Sequence, residues 1–274
     1  MDLLDNWRAW PRASLGLIHL RGADTVAFLQ GQLSNDLSLL DPGKPQLAGY
    51  HNPQGRAIAL LWLLQRAPDD ILALLPAELA TPVATRLSRF ILRSKVRVNA
   101  LAATAPEGAA MLDTVVAGTA PATAVEPAPI NDWRLAGIAA GMPQVHAATS
   151  EAFVAQMLNL DLAGGVSFEK GCYTGQEVIA RAHYRGKVKR RMQRFITGAA
   201  AALAPGDAGV LADGRTFKVV EAAQHPDGRC EFLAVAALEA GAHHEPEAGA
   251  EGPAAPNAPV LAVQTLPLPY ALPE

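Results

Sequence analysis

The segment FEKGCYTGQEVIARAHYRGKVKRR, residues 168–191, combines a cysteine, a helix-start pattern and a run of positive charge. Thr174 and Glu177 have the spacing of a capping box, which predicts that a helix begins directly after Cys172. The amides of a first helical turn carry partial positive charge and Lys170 lies nearby, so the thiolate form of Cys172 is favoured. A thiolate is a nucleophile and a metal ligand. The same pattern is also typical of a small cysteine buried in a tight turn, and the local sequence leaves both roles open.

A basic run follows this cysteine, and no acidic residue lies between Glu177 and Asp207. Its members are Arg181, Arg185, Lys187, Lys189, Arg190, Arg191 and Arg194. An uncompensated cluster of this kind attracts phosphates or carboxylates, although a solvated surface gives the same pattern. Glu177 and Arg181 are four residues apart, a spacing that also suits a surface ion pair on a helix. Cys172 and His183 would form a thiolate–imidazolium pair only if the fold brought them together.

Composition limits the classes of function. The chain has 274 residues, half of them hydrophobic, and a formal net charge of −3, which argues against general affinity for polyanions. Its longest apolar run, AIALLWLL at 57–64, is far shorter than the roughly 20 residues that span a bilayer, and the N-terminus does not resemble a signal peptide. Two cysteines cannot form a four-cysteine metal site. We therefore expect a cytoplasmic protein with reduced thiols and no membrane contact.

Hydrophobic periodicity predicts the elements that carry these residues. Val26, Leu29 and Leu33 recur at spacings of three and four, which predicts an amphipathic helix leading into the polar pair Asn35 and Asp36. Further on, the pattern predicts a buried strand AIALLWLLQ, a hairpin partner ILALL, a helix over 77–92 and a strand KVRVNAL. This order indicates an α+β layer in which helices cover a mostly antiparallel sheet.

The chain changes character along its second half. Residues 102–130 are rich in Ala and Pro and predict a connection of loops with one strand around MLDTVV. A second α+β unit is predicted from DWRLAGIAAG onwards, with a helix near SEAFVAQML. Short strands separated by PGD, ADG and HPDG turns then predict a small all-β module. We expect an α+β module over 1–195 and a small all-β module over 196–274, with a low-complexity loop at 241–259 and a last strand in LAVQTLPLPY.

Several segments together resemble the YgfZ-type folate-binding proteins, relatives of the T protein (aminomethyltransferase) of the glycine cleavage system. The most specific is KGCYTGQEVIARAHYRGKVKRR, and the others are FLQGQLSND, NPQGR, RSKV, AAGMPQV and MLNLDLAGGVSFEKGC. The resemblance implies two intertwined ferredoxin-like α+β subdomains and a C-terminal β-barrel around a central opening that binds tetrahydrofolate or another reduced folate.

The same resemblance implies a function and a set of site residues. Members of the family support the assembly or maintenance of iron–sulfur clusters in client enzymes, including radical enzymes that methylthiolate tRNA. Cys172 matches the functional thiol, which implies a transient contact with a cluster rather than a permanently bound metal. The candidate folate contacts are Lys170, Tyr173, Gln176, Glu177, Asn35, Asp36, Lys187 and Arg190.

Two positions depart from the pattern of the T proteins. T proteins carry a catalytic aspartate in a G-G-x-x-D-D strand, whereas QGRAIALLWLL offers only apolar residues around Ile58, Ala59 and Leu60. Relatives often hold the pterin with a glutamate in an E-A-G-x-P segment, where this chain has Ala139. The missing aspartate favours a folate-binding accessory factor over a tetrahydrofolate-dependent aminomethyltransferase-like enzyme. A module that binds tRNA through the basic run is a further alternative, which this departure does not address.

Overall fold

A computed structural model of the chain describes residues 7–118, 128–186, 188–238 and 260–273. Lys187 and the predicted loop at 241–259 lie outside these ranges. Within them, no helix is long and apolar enough to cross a membrane.

The first half of the chain forms a five-stranded antiparallel sheet with the strand order β2-β3-β4-β1-β5. The strands are β1 (Leu15–Arg21), β2 (Gln46–His51), β3 (Ala57–Ala67), β4 (Asp70–Pro76) and β5 (Arg97–Ala102). The first eight residues of β3 are all buried, as expected for a continuous apolar run that is covered on both faces. The predicted strand, its hairpin partner and the antiparallel sheet are thereby confirmed.

Three helices accompany this sheet, namely α1 (Thr25–Gln30), α2 (Ala77–Ser88) and α3 (Pro106–Gly118). The prediction of loops with a strand around MLDTVV is wrong, because that sequence lies inside α3. Pro106 is the first residue of this helix, a position where proline loses no hydrogen bond. Leu112 and Val115 are buried three residues apart on one face. Two buried apolar positions give too little periodic signal to predict a helix from the sequence.

The segment after the connection contributes helices and turns. It contains α4 (Ile130–Ala139) and α5 (Gln176–Tyr184). The helix expected near SEAFVAQML is only a 3-10 turn, Ala155–Leu158, which ends at Asn159 in the left-handed conformation with φ of 54°. The side-chain amide of Asn159 donates to the Met192 carbonyl oxygen at 2.8 Å, and this tertiary contact holds the turn.

A second sheet of six strands has the order β10-β7-β8-β9-β6-β11. Its strands are β6 (Arg190–Ala200), β7 (Ala208–Leu211), β8 (Thr216–Gln224), β9 (Arg229–Ala237), β10 (Val260–Leu261) and β11 (Val263–Leu266). Only Ala262 separates β10 from β11, and this one segment pairs with β7 on one side and β6 on the other. The sheet is therefore nearly closed and barrel-like, and Phe195, Phe217 and Phe232 pack together inside it. The predicted α+β class and the all-β end of the chain are confirmed.

Candidate functional site

A buried lysine holds the cysteine segment, defined here as residues 168–177, against the loop that follows α1. Lys170 is 7% exposed, and its Nζ donates to the carbonyl oxygens of Gln30 at 2.8 Å, Leu33 at 2.7 Å and Asn35 at 2.8 Å. An ammonium group has three N–H donors, and all three are used here. Lys170 is thus an anchor between two segments that are distant in sequence.

Burial also affects the charge of this anchor. Desolvation lowers the pKa of Lys170 to about 8, and the carboxylate of Asp36 opposes that shift. The ammonium form still predominates at neutral pH because this pKa lies above 7. Nζ lies 5.1 Å from the ring centroid of Tyr173, within the range of a cation–π contact. A direct hydrogen bond from Lys170 to a folate would require the loss of one main-chain bond.

Asn35 and Asp36, predicted as folate contacts, lie in the loop that Lys170 anchors. Asn35 is committed to the main chain: its Nδ2 donates to the carbonyl oxygens of Leu47 at 2.7 Å and Gly164 at 2.8 Å. Its Oδ1 accepts from the backbone N–H of Asp36 at 2.9 Å. Asn35 therefore shapes the loop, and the side chain with spare capacity is the neighbouring carboxylate.

The carboxylate of Asp36 is ionised. Its Oδ1 accepts from Ser38 Oγ at 2.7 Å, from Gln30 Nε2 at 2.9 Å and from the Ser38 backbone N–H at 3.0 Å. These bonds, the Ser38 hydroxyl first, hold the pKa of Asp36 below its usual value. Within the described ranges Oδ2 makes no hydrogen bond, so it is an available acceptor next to the Lys170 anchor.

Tyr173, the residue after Cys172, forms a buried aromatic pair with His51. Their ring centroids are 6.5 Å apart, and the residues are 7% and 1% exposed. Burial raises the pKa of Tyr173 to about 12 and lowers the pKa of His51 to about 4, against a smaller opposing effect of the Gly49 backbone. Neither ring nitrogen of His51 makes a hydrogen bond of normal geometry with the described chain. Sequence reasoning missed His51, because nothing in its local pattern marks a buried, unpaired imidazole.

The start of α5 differs from the sequence expectation. Gly175 precedes the helix with φ of 84°, and a Cβ at this position would lie 2.5 Å from the carbonyl oxygen of Asn52. The predicted capping box is wrong: no side chain caps this helix, and the Oε1 of Glu177 instead accepts from Arg181 Nη2 at 3.0 Å on the exposed surface. Glycine makes the turn because the main chain of the NPQGR loop approaches too closely for a side chain.

Cys172 is exposed on the cysteine segment, between the buried side chains of Lys170 and Tyr173. A Cβ added at Gly171 would have no atom within 4 Å, so the space beside the thiol is open. The packing role that the sequence left open for Cys172 instead belongs to Cys230, which is fully buried in the barrel, with a pKa raised by desolvation. Among the described residues, no three His, Cys, Asp or Glu side chains are grouped to hold a metal ion.

Three arginines of the basic run form ion pairs in the described chain, two of them with acids from elsewhere in the fold. Arg191 is 5% exposed and makes two 3.0 Å bonds to the carboxylate of Asp161. Arg194 Nε donates to Glu231 Oε1 at 2.7 Å. The expectation of an uncompensated cluster is therefore wrong for Arg191 and Arg194, because their acidic partners come from other turns and strands and are invisible in a local count.

Arg190, predicted as a folate contact, bonds to the barrel strand β8. Its guanidinium donates to the Oγ1 and the carbonyl oxygen of Thr216, both at 3.1 Å. Lys187, the other cation predicted to meet the folate, lies outside the described residues. Arg185 and Lys189 are the members of the run that remain exposed without an ion pair in the described part of the chain.

Aromatic side chains meet beside the cysteine segment. Phe168 stacks on His183 with ring centroids 3.7 Å apart and an interplanar angle of 15°. Tyr184 meets both rings edge-on and is 67% exposed. His183 is therefore a stacking partner of Phe168, and its ring faces Phe168 rather than forming the pair with Cys172 that the sequence allowed.

The two positions that depart from the T-protein pattern have different environments. Ile58, Ala59 and Leu60 lie in β3 and are at most 5% exposed, so this strand presents packed hydrocarbon. Ala139 is the last residue of α4 and is exposed. No carboxylate exists at either position.

A cleft of about 240 Å³ lies beside α4. Trp133 forms part of its wall and stacks on Trp10 with ring centroids 4.6 Å apart. His146 links two carboxylates there, with Nδ1 3.5 Å from Glu78 and Nε2 3.0 Å from the buried Glu221. These groups satisfy one another and hold the α2 region to the barrel.

The architecture places the chain in a structural class. The aminomethyltransferase T of the glycine cleavage system from Bartonella henselae has the same fold, with a TM-score of 0.60 and 16% identity over 86% of this chain and 81% of that one. At this identity the likeness shows the fold alone, which is that of the T proteins.

Sequence relatives are more specific, although no protein-family model matches the chain. The tRNA-modifying protein YgfZ of Photorhabdus laumondii is 32% identical over 233 residues, 69% of this chain and 68% of the relative. The protein of the same name from Vibrio vulnificus is 30% identical over 75% of this chain and 72% of the relative. The one from Enterobacter sp. is 28% identical over 99% of this chain and 93% of the relative. The chain belongs to the YgfZ family.

Proposed function

We propose that this protein is a folate-binding accessory factor that supports the iron–sulfur clusters of tRNA-modifying enzymes in the cytoplasm. The observation that carries the proposal is the architecture of the cysteine segment. Lys170 anchors it with three main-chain bonds, while Cys172, two residues later, remains exposed. A segment that is held rigidly and yet presents a thiol to solvent suits contact with a partner.

The residues beside this segment fit the polar edge of a reduced folate. A pterin ring carries N–H donors, and the ionised Asp36 has a carboxylate oxygen without a partner in the described chain. Gln176 is half-exposed at the start of α5 and offers an amide, and Tyr173 supplies an aromatic wall. We assign the binding role to Asp36, Gln176 and Tyr173. We assign Lys170 and Asn35 to positioning of the loop, since their donors are committed.

The thiol of Cys172 acts in this proposal as a transient ligand. On loss of its proton to solvent, the sulfur can bond to an iron atom of a cluster that a client protein carries. The cluster is cargo of the partner and is not held by this chain. A single exposed thiol suits brief contact, because stable sites need three or four protein ligands.

The aminomethyltransferase alternative is disfavoured by the buried apolar side chains of Ile58 to Leu60, which leave no carboxylate on that strand. Such a carboxylate would be needed to orient the folate amine during transfer. A tRNA-binding role for the basic run is also weaker than its composition indicates, because Arg190, Arg191 and Arg194 are engaged inside the fold.

Two measurements on the purified chain test the proposal. Isothermal titration with tetrahydrofolate should show binding that Asp36→Asn weakens about tenfold or more, as expected for a lost charge-assisted hydrogen bond. The variant Cys172→Ala should bind folate like the wild type but fail to restore tRNA methylthiolation in a deletion strain. Full restoration by Cys172→Ala would sink the thiol role, and absence of folate binding would sink the proposal as a whole.

A further inference from the structure

A second basic surface lies away from the cysteine segment, at the end of the first sheet. We call it the arginine patch and define it as Arg21, Arg89, Arg93, Lys95 and Arg97. Arg21 ends β1, Arg97 begins β5, and the other three belong to the end of α2 and the connection that leads into β5. All five residues are exposed, in a chain whose net charge is −3.

Main-chain contacts bring these residues together. The backbone N–H of Lys95 donates to Asp24 Oδ2 at 2.7 Å, which ties the connection to the loop after β1. Gly22 has φ of 139°, and a Cβ there would lie 2.0 Å from the carbonyl oxygen of Lys95. Glycine is thus required for the connection to pass this close to Arg21. The fold itself, rather than chance at a flexible surface, assembles the patch.

The charges of the patch are not neutralised within the described chain, where none of its five side chains makes an ion pair or hydrogen bond. Arg21 and Arg97 lie directly opposite each other in the antiparallel register of β1 and β5. Like charges in such a pair repel and destabilise a sheet. Asp24, Asp69 and Asp70 are the carboxylates beside the patch, and Asp70, which lies opposite Arg21 in the register of β1 and β4, contacts His19 and Arg66. Five cations against three carboxylates leave the net charge of the patch positive. An external anion would relieve this repulsion.

Two large apolar side chains project from the same connection. Leu92 is 92% exposed and Phe90 is 48% exposed. Four of the five cations are arginines, whose planar guanidinium groups bind phosphates in bidentate fashion and stack on bases. A surface that mixes arginines with an exposed aromatic ring suits RNA, which offers phosphates and unstacked bases together.

We propose that the arginine patch docks RNA, with the phosphate backbone on its arginines and a loop base against Phe90. The choice of tRNA as the RNA rests on the proposed function above. The patch would hold a tRNA while Cys172 serves the enzyme that modifies it. This assigns RNA contact to a surface distinct from the basic run that follows the cysteine.

The test is fluorescence anisotropy of labelled bulk tRNA with the full chain between 50 and 200 mM salt. Arg93→Gln with Arg97→Gln should weaken binding roughly 10- to 100-fold at 100 mM salt and reduce the salt slope by about 2. The matched control, Arg185→Gln with Lys189→Gln, removes the same charge from the cysteine side and should leave affinity within about twofold. Phe90→Ala should weaken binding without changing the salt slope, since it removes stacking alone.

Each other result would overturn the inference. Wild-type affinity in the Arg93/Arg97 variant, an equal or larger loss in the control, or no tRNA binding at 50 mM salt would do so. Binding to phosphatidylglycerol vesicles in place of tRNA would identify a membrane surface instead. Circular dichroism melts check that the variants fold. Tetrahydrofolate titration of the same variants separates the folate-binding proposal from the RNA-docking proposal. If the Arg93/Arg97 variant binds both tetrahydrofolate and tRNA like the wild type, only the role of the arginine patch is refuted.

Discussion

Replacement of Lys170 by Met should destabilise the protein by about 3 kcal/mol at pH 7. The change leaves three carbonyl oxygens without donors, at about 2 kcal/mol each. It also removes a buried ammonium group whose pKa is lowered by desolvation from 10.5 to about 8. Removal of this desolvation cost stabilises the variant by about 3 kcal/mol, before allowance for screening by solvent. The lost hydrogen bonds outweigh the relief, so the anchor stabilises the fold despite its desolvation.

The pH dependence of this effect has a definite sign. Between pH 8 and 10.5 the unfolded chain keeps the Lys170 proton that the folded chain has lost, so the stability from this group rises with pH. The gap between wild type and Lys170→Met should therefore widen by about 1 to 2 kcal/mol from pH 7 to 9.5, after allowance for screening.

Urea unfolding followed by tryptophan fluorescence at both pH values measures the gap. Lys44→Met is the control, because Lys44 forms a surface ion pair with Asp41, and its loss should change stability by less than about 0.5 kcal/mol. A Lys170→Met variant as stable as wild type at pH 7, or a gap that narrows at pH 9.5, would refute the reasoning.

Three further substitutions address the surroundings of the site. Burial lowers the pKa of His51 to about 4, so the stability that depends on its neutral form is complete above pH 6.5 and is lost as the pH falls. Between pH 7.5 and 5, wild type should therefore lose about 2 kcal/mol more stability than His51→Leu in chemical unfolding. Equal losses would contradict this. Gly175→Ala should cost about 1–3 kcal/mol in thermal unfolding, whereas Gly171→Ala, with open space around it, should be nearly neutral; equal effects would show that the close approach to the NPQGR loop is unimportant. Asp161→Asn should lower the free energy of unfolding by about 3 kcal/mol or more, because it leaves the buried charge of Arg191 without its partner. The double variant Asp161→Asn with Arg191→Met should regain part of that loss. A small loss of stability in the single variant would argue against a desolvated ion pair.

Strong periodic signals in the sequence predicted their elements well. The apolar run of β3, the spacing along α2 and the turn-bounded strands of the barrel are local patterns whose period matches the structure. α3 was missed because its Ala-rich sequence shows only a narrow apolar stripe. The strand β10, two residues long, exists only because β7 lies beside it.

The candidate site was predicted less evenly. The resemblance listed Lys170 and Asp36 together as candidate folate contacts, and the fold joins Lys170 to the Asp36 loop. The basic run looked free because a local count cannot see Asp161 or Glu231, which reach it only in the folded chain. His51 had no local signal at all.

By itself, the sequence determined the α+β class, the candidate thiol Cys172 in its glycine-flanked segment, and the absence of a carboxylate near Ile58. These depend on residue type and short-range spacing. Only the tertiary structure decided which charges are free. Lys170 and Arg191 are buried by partners distant in sequence, whereas the side chains of the arginine patch have no ion-pair partner in the described part of the chain. The physical reason is that charge is neutralised through space, and local sequence records only neighbours along the chain.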